Sequence, residues 1–495
     1  MIMKHTKWIL MLMLLQHQLQ AQNNYWTQQY GAQSSLLGGA VVAGVRDNSA
    51  LYYNPAALGF IEHPTLSINA NIYQLDYVNL KNGAGNQIDL NSIRPLIYPQ
   101  LVSGFISFKK VPKLKMAYGL LTRHRNDIKT YAQHKGFYEI IPSSGGLDYY
   151  YANINYEINN ISQWGGLGIS YKISNKVSLG FTQFLNYMHL DDRLSNNTSI
   201  DVMESTYYIT RVYESSVSVI DAVSMNWKIG AAFDFGKFKM GITGTIPSVD
   251  LFGFARLERS LESFNQHVYL DDSLVIGKFP SFIVSEEQRG LNARFRTPGS
   301  IALGLELNLP KSGTRIMLTG EYFFPMSEYT VARYDSLTDI RPFGSYQNIA
   351  VPDFLVETTF SAGVINVGLG YEQRLHDKWM LCMGVRSDMN NTQDVLTSKP
   401  YGTNSINSTF WHYVHFSAGV RYKKGSSDVT FGLNYGLGIT NIQRQPFNIA
   451  EPQISLYPGF YGNPFISFQG ERQETMKANV HSIGIVLGYT YYIKR

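Results

Sequence analysis

Cysteine, charge and long apolar runs are all scarce in this sequence, and each scarcity excludes a class of protein. The 495 residues include a single cysteine, Cys382, so an internal disulfide cannot stabilise the fold. Charged residues make up 16%, against about 25% in soluble domains, and the net charge of +5 is too small to indicate nucleic-acid binding. Beyond residue 21, no apolar run approaches the roughly 20 residues that a membrane-spanning helix requires.

Catalytic and metal-binding motifs are absent as well. The sequence contains no nucleophile elbow (Gly-x-Ser-x-Gly), no phosphate-binding P-loop and no His-Glu-x-x-His zinc motif. His412 and His415 lie three residues apart on a predicted strand, where their side chains would point to opposite faces and could not share a metal ion. We therefore expect no enzymatic activity, no metal ion and no cofactor.

Alternation of apolar with small or polar residues is the strongest pattern that is present. In residues 300–309 isoleucine and leucine occupy every odd position, and segments 428–435 and 482–493 repeat the alternation. Successive side chains of a strand point to opposite faces, so each segment predicts a strand with one apolar face. The 34 tyrosines, 27 phenylalanines and 43 glycines favour a membrane barrel, which has aromatic residues at both lipid interfaces.

Residues 1–21 have the pattern of a secretory signal sequence. Lys4 and Lys7 precede a short apolar stretch at 8–15, and the small residue Ala21 precedes Gln22. An exported chain without a spanning helix is either soluble or a closed barrel, the other structure that satisfies every backbone polar group in lipid. Composition favours the barrel, with apolar strand faces toward lipid. We therefore predict a multi-pass protein of a bacterial outer membrane, surrounded by lipid bilayer and lipopolysaccharide.

The strands from residue 65 onward predict one continuous antiparallel barrel at 63–495. Fifteen segments have strand character, among them 149–158 and 165–173. Because single-chain bacterial barrels have even strand numbers, we predict about 14 strands. Short turns such as 236–237 alternate with long polar connections, which are predicted to be extracellular loops. These loops lie at 196–223, 248–297, 325–357, 390–410 and 443–477.

Residues 22–62 differ from the rest of the chain and predict a separate small unit. The stretch 36–44 is small and apolar without alternation. Residues 47–49 would start a short helix that ends at Asn54, since the residue before a proline is pushed out of the helical region. About 40 residues cannot form a stable core alone. We therefore predict a small helical hatch that packs in the barrel lumen.

Residues 38–58, GGAVVAGVRDNSALYYNPAAL, resemble the N-terminal hatch of the long-chain fatty acid transporter family, which includes importers of aromatic hydrocarbons. Residues 296–300 (RTPGS) and 370–375 (GYEQRL) are similar to later strands of that family, and the Gln-rich start and Tyr-rich barrel resemble Bacteroidetes outer-membrane proteins. The resemblance implies a fourteen-stranded barrel closed by a hatch, with apolar ligands bound on the outer side and released through a gap in the wall. It also implies that Asn54, Pro55 and Ala56 are hatch residues.

Charged residues on the polar strand faces form the first candidate site. Glu306, Arg315, Arg386 and Arg421 lie opposite the apolar positions of their strands, so we predict that they point into the lumen. Buried charges of opposite sign tend to pair with one another. Alternatively, an unpaired arginine binds the carboxylate head group of a ligand. The sequence leaves both alternatives open.

Phenylalanines near the long loops form the second candidate site, a groove for a hydrophobic small-molecule ligand. The leading function is a channel for passive uptake of hydrophobic compounds, with fatty acids as the default substrate class. The alternative is a barrel that serves as a scaffold or shuttle for a secretion system or surface lipoproteins, with a protein partner at the extracellular loops. The groove would consist of Phe252, Phe254, Phe279, Phe282, Phe323 and Phe324.

Overall fold

The computed structural model describes residues 24–62, 65–141, 146–202, 208–269, 275–278, 281–334, 355–391, 403–405, 411–440, 445–453, 468–473 and 476–493. The predicted signal sequence lies outside these residues. No helix within these ranges is both long and apolar enough to cross a membrane.

Strands dominate the described residues. The helical elements are an α-helix, α1 (Ala50–Tyr53), and a 3-10 helix, Pro55–Phe60. The strands are β1 (Thr65–Lys81), β2 (Leu90–Ser107), β3 (Leu114–Tyr138), β4 (Asp148–Lys172), β5 (Val177–Val202), β6 (Tyr208–Asp234), β7 (Phe238–Phe264), β8 (His267–Tyr269), β9 (Val275–Lys278), β10 (Phe282–Asn292), β11 (Ser300–Leu309), β12 (Thr314–Phe323), β13 (Met326–Arg333), β14 (Val356–Ser361), β15 (Val364–His376), β16 (Trp379–Asp388), β17 (Thr403–Ser405), β18 (His412–Lys424), β19 (Ser427–Thr440) and β20 (Lys477–Tyr492).

Fourteen antiparallel strands close into a barrel. The ring runs β7-β11-β12-β15-β16-β18-β19-β20-β1-β2-β3-β4-β5-β6 and returns to β7, which pairs with β6. Closure matters because every strand then pairs with two neighbours over at least part of its length, which satisfies its backbone polar groups. The predicted all-β transmembrane barrel of about 14 strands is confirmed. We refer to the end with the short turns as the periplasmic end and to the opposite end as the extracellular end.

β4 explains why the sequence predicts one strand too many. It is continuous from Asp148 to Lys172, whereas the sequence predicts separate strands at 149–158 and 165–173. The predicted loop at 196–223 is also wrong in its described part, because β5 continues to Val202 and β6 begins at Tyr208. In the same way β7 extends to Phe264, well into the predicted loop at 248–297. These three errors in strand bounds have the same cause: the surroundings of each strand face change along the length of the strand.

The two faces of β4 exchange polarity along its length. Near the periplasmic end Leu167 and Ile169 are exposed on the outside, while Gly168 faces inward. Toward the extracellular end Ile154 is buried inside, and the neighbouring Asn155 is outside and less buried. The lower outer surface contacts lipid and the upper outer surface contacts water, so the apolar residues change sides. The prediction that apolar faces point outward is correct for the lower wall and wrong for the upper wall.

One side of the barrel is much taller than the other. Strands β3 to β7 have 25–27 residues, whereas β11, β12 and β16 have 10 residues each. A strand needs only about 9–11 residues to cross a bilayer. The short strands therefore end near the membrane surface, and the long strands continue above it as an extracellular wall.

Candidate functional site

The lower lumen is filled by residues 24–62, which we call the N-terminal segment. Leu36, Leu37, Leu51 and Leu58 are buried in one apolar cluster with inward-facing barrel residues such as Leu101. Apart from α1 and the 3-10 helix, the segment consists of turns and irregular backbone, so it is less helical than predicted. The predicted domain boundaries at 22 and 62 stay a prediction.

Asn54, Pro55 and Ala56 tie the N-terminal segment to the barrel wall. The Asn54 side chain accepts a hydrogen bond from the Ala56 amide (3.1 Å) and donates to the carbonyls of Val42 (2.9 Å) and Ala231 on β6 (3.1 Å). Pro55 begins the 3-10 helix, where its missing N–H leaves no partner unsatisfied. A Cβ atom at Gly180 of β5 would overlap the backbone of Pro55 and Ala56, so glycine is required for this approach.

A first polar anchor holds the beginning of the segment. The Trp26 amide donates to Oδ1 of Asp388 (2.8 Å), and its indole Nε1 donates to Oε2 of Glu321 (2.7 Å). Nε of Arg386 donates to the Trp26 carbonyl (2.9 Å), and Nη2 donates to the Thr27 carbonyl (3.0 Å). Residues of strands β12 and β16 together thus provide partners for the hydrogen-bonding groups of the Trp26 backbone and side chain.

A second anchor lies nearer the periplasm. Nη2 of Arg315 donates to the Gly44 carbonyl (2.7 Å) and to Oε2 of Glu306 (2.7 Å), and Nη1 donates to Oε1 of Glu372 (3.0 Å). Arg46 of the N-terminal segment adds a 3.3 Å contact to Glu306. An arginine between two buried carboxylates has its charge compensated. Removal of the arginine, or of the carboxylates, would leave a buried charge without a partner. The anchor therefore fixes the turn at residue 44.

The predicted lumen charges all contact the N-terminal segment. Glu306, Arg315 and Arg386 belong to the two anchors described above, and Arg421 donates through Nη1 to Oε1 of Gln33 (2.9 Å). Arg421 also lies 3.7 Å from Asp428. The structure therefore brings these residues together around one segment instead of leaving one of them open to a ligand.

Two cations that the sequence analysis missed lie close to the ring of Tyr52. Nζ of Lys228 is 4.1 Å from the centroid of the Tyr52 ring, and the guanidinium carbon of Arg123 is 5.7 Å from it. Arg123 also lies 5.6 Å from the ring of Trp164, which packs on Phe184. Among the described residues, neither cation has a carboxylate within ion-pair distance. We call these five residues the Tyr52 cluster.

Only part of the Tyr52 cluster leaves a signal in the sequence. Lys228 occupies an inward position of β6 between two apolar outward residues, and a lysine at such a position indicates a lumen charge. Arg123 lies at a bulge, because the β3–β4 register shifts between Thr122 and His124. A bulge breaks the two-residue alternation, so the inward direction of Arg123 cannot be read from sequence.

Above the N-terminal segment, the tall wall contributes to an apolar cluster. Aliphatic residues alternate with polar ones on the inner face of β3 to β7, and the aliphatic ones pack with residues of the upper segments into a second cluster separate from that of the N-terminal segment. Members of this cluster include Ile128, Ile154, Leu190, Ile220, Leu257, Val284 and Trp411. A packed apolar cluster thus occupies part of the extracellular half of the lumen.

The barrel wall is interrupted between β2 and β3. Their ladder covers seven residue pairs, from Ser107 and Lys115 up to Leu101 and Leu121. Above this point β3 stays paired with β4 as far as Tyr138, but it has no ladder partner on the β2 side among the described residues. Seven residues of a tilted strand rise about 18 Å, so the interruption begins within a lipid-facing band about 25 Å tall.

Side chains span the interruption where backbone pairing is missing. Nε of Arg94 donates to Oδ1 of Asp127 (2.7 Å), and the Lys129 amide donates to the Ser92 hydroxyl (3.1 Å). On the inner side, the Tyr30 hydroxyl of the N-terminal segment donates to the Arg123 carbonyl (3.2 Å). The N-terminal segment therefore lies directly behind the interruption on the lumen side.

A polar cavity of about 410 Å³ lies below the N-terminal segment at the periplasmic end. Its lining carries charges of both signs, together with apolar residues such as Phe60 and Ile61. The charged lining residues are Arg46, Asp47, Glu62, Lys172, Asp234, Lys239, Arg421 and Asp428. Displacing water from these charged groups would oppose the entry of an alkyl chain.

The predicted phenylalanine groove is not assembled in the described residues. Phe252 and Phe254 are each 58% exposed on the outer face of β7, and Phe324 is also exposed. Phe323 points inward and stacks on Tyr25, with ring centroids 4.3 Å apart. Phe279 lies outside the described residues, and of Phe282 only the backbone, at the start of β10, is described. The described phenylalanines therefore face two different environments, lipid and lumen.

No protein-family model and no curated protein matches the sequence. Solved structures do match. The P. putida toluene transporter TodX is similar over 94% of this chain and 99% of its own, with a TM-score of 0.58 and 14% identity. A Pseudomonas aeruginosa FadL homologue matches over 96% and 100% (TM-score 0.55, 12% identity), and the Ralstonia pickettii toluene transporter TbuX over 94% and 99% (TM-score 0.52, 12% identity).

At these identities the likeness establishes the fold alone. The chain has the barrel fold of the outer-membrane hydrocarbon transporters, as the resemblance of residues 38–58 implies. Together with the lipid-facing lower wall, this fold defines a multi-pass outer-membrane β-barrel. The likeness to Bacteroidetes proteins stays a prediction.

Proposed function

We propose that the protein is a channel for passive uptake of hydrophobic compounds, with long-chain fatty acids as the substrate class. The proposal rests on the order of the environments along the lumen, from the extracellular end to the periplasmic end. An apolar cluster occupies the extracellular half, the N-terminal segment fills the middle, and a charged cavity lies beneath. A hydrophobic molecule would enter from outside and stop at the level of the N-terminal segment.

The Tyr52 cluster supports a ligand with a carboxylate. Burial of each methylene group contributes about 0.8 kcal/mol, so the alkyl chain supplies most of the affinity in the apolar interior. A hydrogen bond to a charged group contributes roughly 1.5–3 kcal/mol, enough to discriminate an acid from a neutral hydrocarbon. Lys228 and Arg123 supply two such donors beside Tyr52 of the N-terminal segment.

The interruption between β2 and β3 supports sideways release. Continuing downward would bring an alkyl chain into the charged periplasmic cavity, whereas moving sideways keeps it in contact with apolar groups. Backbone pairing does not have to be broken for this step, because the ladder ends at Leu101 and Leu121. Movement of the N-terminal segment near Tyr30 would be sufficient to connect the lumen with the bilayer.

Uptake by cells tests the function directly. A strain that lacks the protein and the same strain with the gene restored are compared for uptake of radiolabelled oleate and of labelled toluene. We expect oleate uptake to fall in the deletion strain and to return on restoration. The control for general damage to the envelope is uptake of a small hydrophilic solute, which should not change.

The same strains separate the channel from the scaffold alternative. If the protein were a scaffold or shuttle, the deletion strain would lose secreted proteins or surface lipoproteins and keep normal uptake of both hydrophobic compounds. That result would reject the channel. A fall in toluene uptake with unchanged oleate uptake would keep the channel and reject fatty acids as its substrate class.

A further inference from the structure

A belt of basic side chains lies on the outer face of the tall wall, immediately above the part that contacts lipid. It consists of Lys129 on β3, Arg193 on β5, Arg256 on β7 and Arg289 on β10, and we call it the basic belt. Each member forms an ion pair on the outer surface, at 2.8, 2.7, 2.8 and 2.5 Å respectively. The carboxylate partners are Glu157, Asp191, Glu258 and Glu287.

The strand register places the belt in two adjacent rows. Lys129, Glu157 and Arg193 are successive partners across β3, β4 and β5, so they form one row around the wall. Arg256 and Arg289 are partners across β7 and β10, one row nearer the membrane. Basic groups from four strands therefore lie in two adjacent rows of the register, although they are far apart in sequence.

On β4, the row that contains Glu157 lies near the head-group layer of the outer leaflet. The outward residues of β4 from Tyr171 to Ile161 include no charged side chain. Ten residues of a tilted strand rise about 25 Å, which matches the apolar band of an outer-membrane barrel. Glu157 and its row lie four residues further along, about 10 Å above the band. On β4 the belt therefore lies above the apolar band by about the thickness of a head-group layer.

In every pair of the belt the cation is more exposed than its carboxylate. The side chain of Arg193 is 52% exposed and that of Asp191 25%, and the corresponding values are 49% and 33% for Lys129 and Glu157. Arg289 is 70% exposed, against 34% for Glu287, while Arg256 and Glu258 differ by less. The carboxylates hold the basic groups in place, and the basic groups present their remaining donors outward.

We propose that the basic belt binds the phosphate groups of a phosphorylated glycolipid in the outer leaflet. Guanidinium groups bind phosphate through two parallel hydrogen bonds, and Arg193 and Arg289 keep donors free on their exposed sides. Exposed ion pairs contribute little to fold stability, about 0–1 kcal/mol each, so stability alone does not account for four of them in two adjacent rows. The belt lies on the tall side of the barrel, and it would anchor that side to the surrounding leaflet.

Binding of defined glycolipids to the purified full-length protein tests the proposal. Native mass spectrometry in detergent compares a bisphosphorylated lipid A with the same glycolipid after removal of its phosphates. The belt variant carries K129Q, R193Q, R256Q and R289Q. A matched control variant carries K110Q, K113Q, K176Q and K237Q, which remove four exposed lysines at the periplasmic turns. Heat-modifiable migration on gels confirms that each variant is folded.

We expect the wild-type and control proteins to prefer the bisphosphorylated glycolipid by about tenfold, and the belt variant to lose this preference. The single variants R193Q and R289Q retain most of the belt. Each should weaken the preference for the bisphosphorylated glycolipid by roughly twofold to threefold. Two results would overturn the proposal: a wild-type protein that binds both glycolipids equally, or a belt variant that keeps the wild-type preference. Neither depends on whether the barrel transports fatty acids.

Discussion

The ammonium group of Lys228 lies 4.1 Å from the centre of the Tyr52 ring, so a charged barrel residue and an aromatic residue of the N-terminal segment share one buried contact. The lysine is only 4% exposed. A buried ammonium without an anion is costly, and the tyrosine ring offsets only part of that cost. A ligand carboxylate at this position would supply the missing counter-charge.

Substitution of Lys228 should therefore change ligand selectivity more than fold stability. For Lys228→Met we expect the Kd for oleate to rise about tenfold, because a hydrogen bond to a charged group is lost. Binding of oleyl alcohol should change little. The measurement is fluorescence titration of purified protein with both ligands.

Lys228→Arg is the matched control, since it keeps the positive charge and should retain most of the preference for the acid. Equal weakening of oleate and oleyl alcohol by Lys228→Met would contradict the carboxylate site. It would indicate that the lysine only supports the packing of Tyr52.

A cross-link between β2 and β3 across the interruption should prevent release of the ligand into the bilayer. Cysteines at Arg94 and Asp127, whose side chains meet there, can be linked by a reversible bifunctional thiol reagent. We expect oleate uptake to fall on linking and to recover when the link is reduced. Cys382 is fully buried and should not react.

Cysteines at Ile106 and Met116 provide the control for the link, because these residues are partners in the intact part of the same ladder. A link there should leave uptake unchanged. If the upper link also left uptake unchanged, release between β2 and β3 would be rejected.

A larger side chain at Gly180 should displace the 3-10 helix from the wall. In Gly180→Val the new side chain overlaps the backbone of Pro55 and Ala56, at a cost of about 1–3 kcal/mol. We expect the ion conductance of the protein in planar bilayers to rise above that of the wild type. Gly244→Val, at a glycine with open space around it, should conduct like the wild type. Unchanged conductance in Gly180→Val would argue against a plug.

Asp192 should make the free energy of unfolding depend on pH. It lies above the lipid-facing band, where burial and then the carboxylates of Glu357 and Asp191 raise its pKa to about 8. Between about pH 4, the ordinary pKa of an aspartate, and pH 8, the folded protein holds a proton that the unfolded chain has released. The free energy of unfolding should therefore fall as the pH rises through this window.

Thermal melts between pH 5 and pH 8.5 measure this effect. We expect the wild-type Tm to fall across the range and the fall to be smaller in Asp192→Asn, by about 2–4 °C. Asp201→Asn, on the outer face of the same strand, serves as the control. Parallel curves for the wild type and Asp192→Asn would show that the carboxyl is ionised at neutral pH in the folded protein.

The bounds of strands with unbroken alternation could be predicted from the sequence to the residue. The bounds of strands in which the alternation breaks could not. The bounds of β11 and β12, Ser300–Leu309 and Thr314–Phe323, agree with the alternation because these short strands stay in one environment from end to end. β4 leaves lipid and enters water, so its apolar residues change sides and the pattern breaks in the middle. For the same reason the phenylalanines of β7 were predicted to line a groove, although they face outward.

Sequence alone determined that this chain forms an outer-membrane barrel of about 14 strands, because the alternation and the absence of long apolar runs leave few other folds. It also placed Glu306, Arg315 and Arg386 on inward faces, since strand periodicity is a local property. Tertiary structure decided what those residues contact, where the ladder between β2 and β3 ends, and that Lys228 and Arg123 meet at Tyr52. These features depend on bulges and on contacts between residues more than 70 positions apart, which local periodicity does not encode.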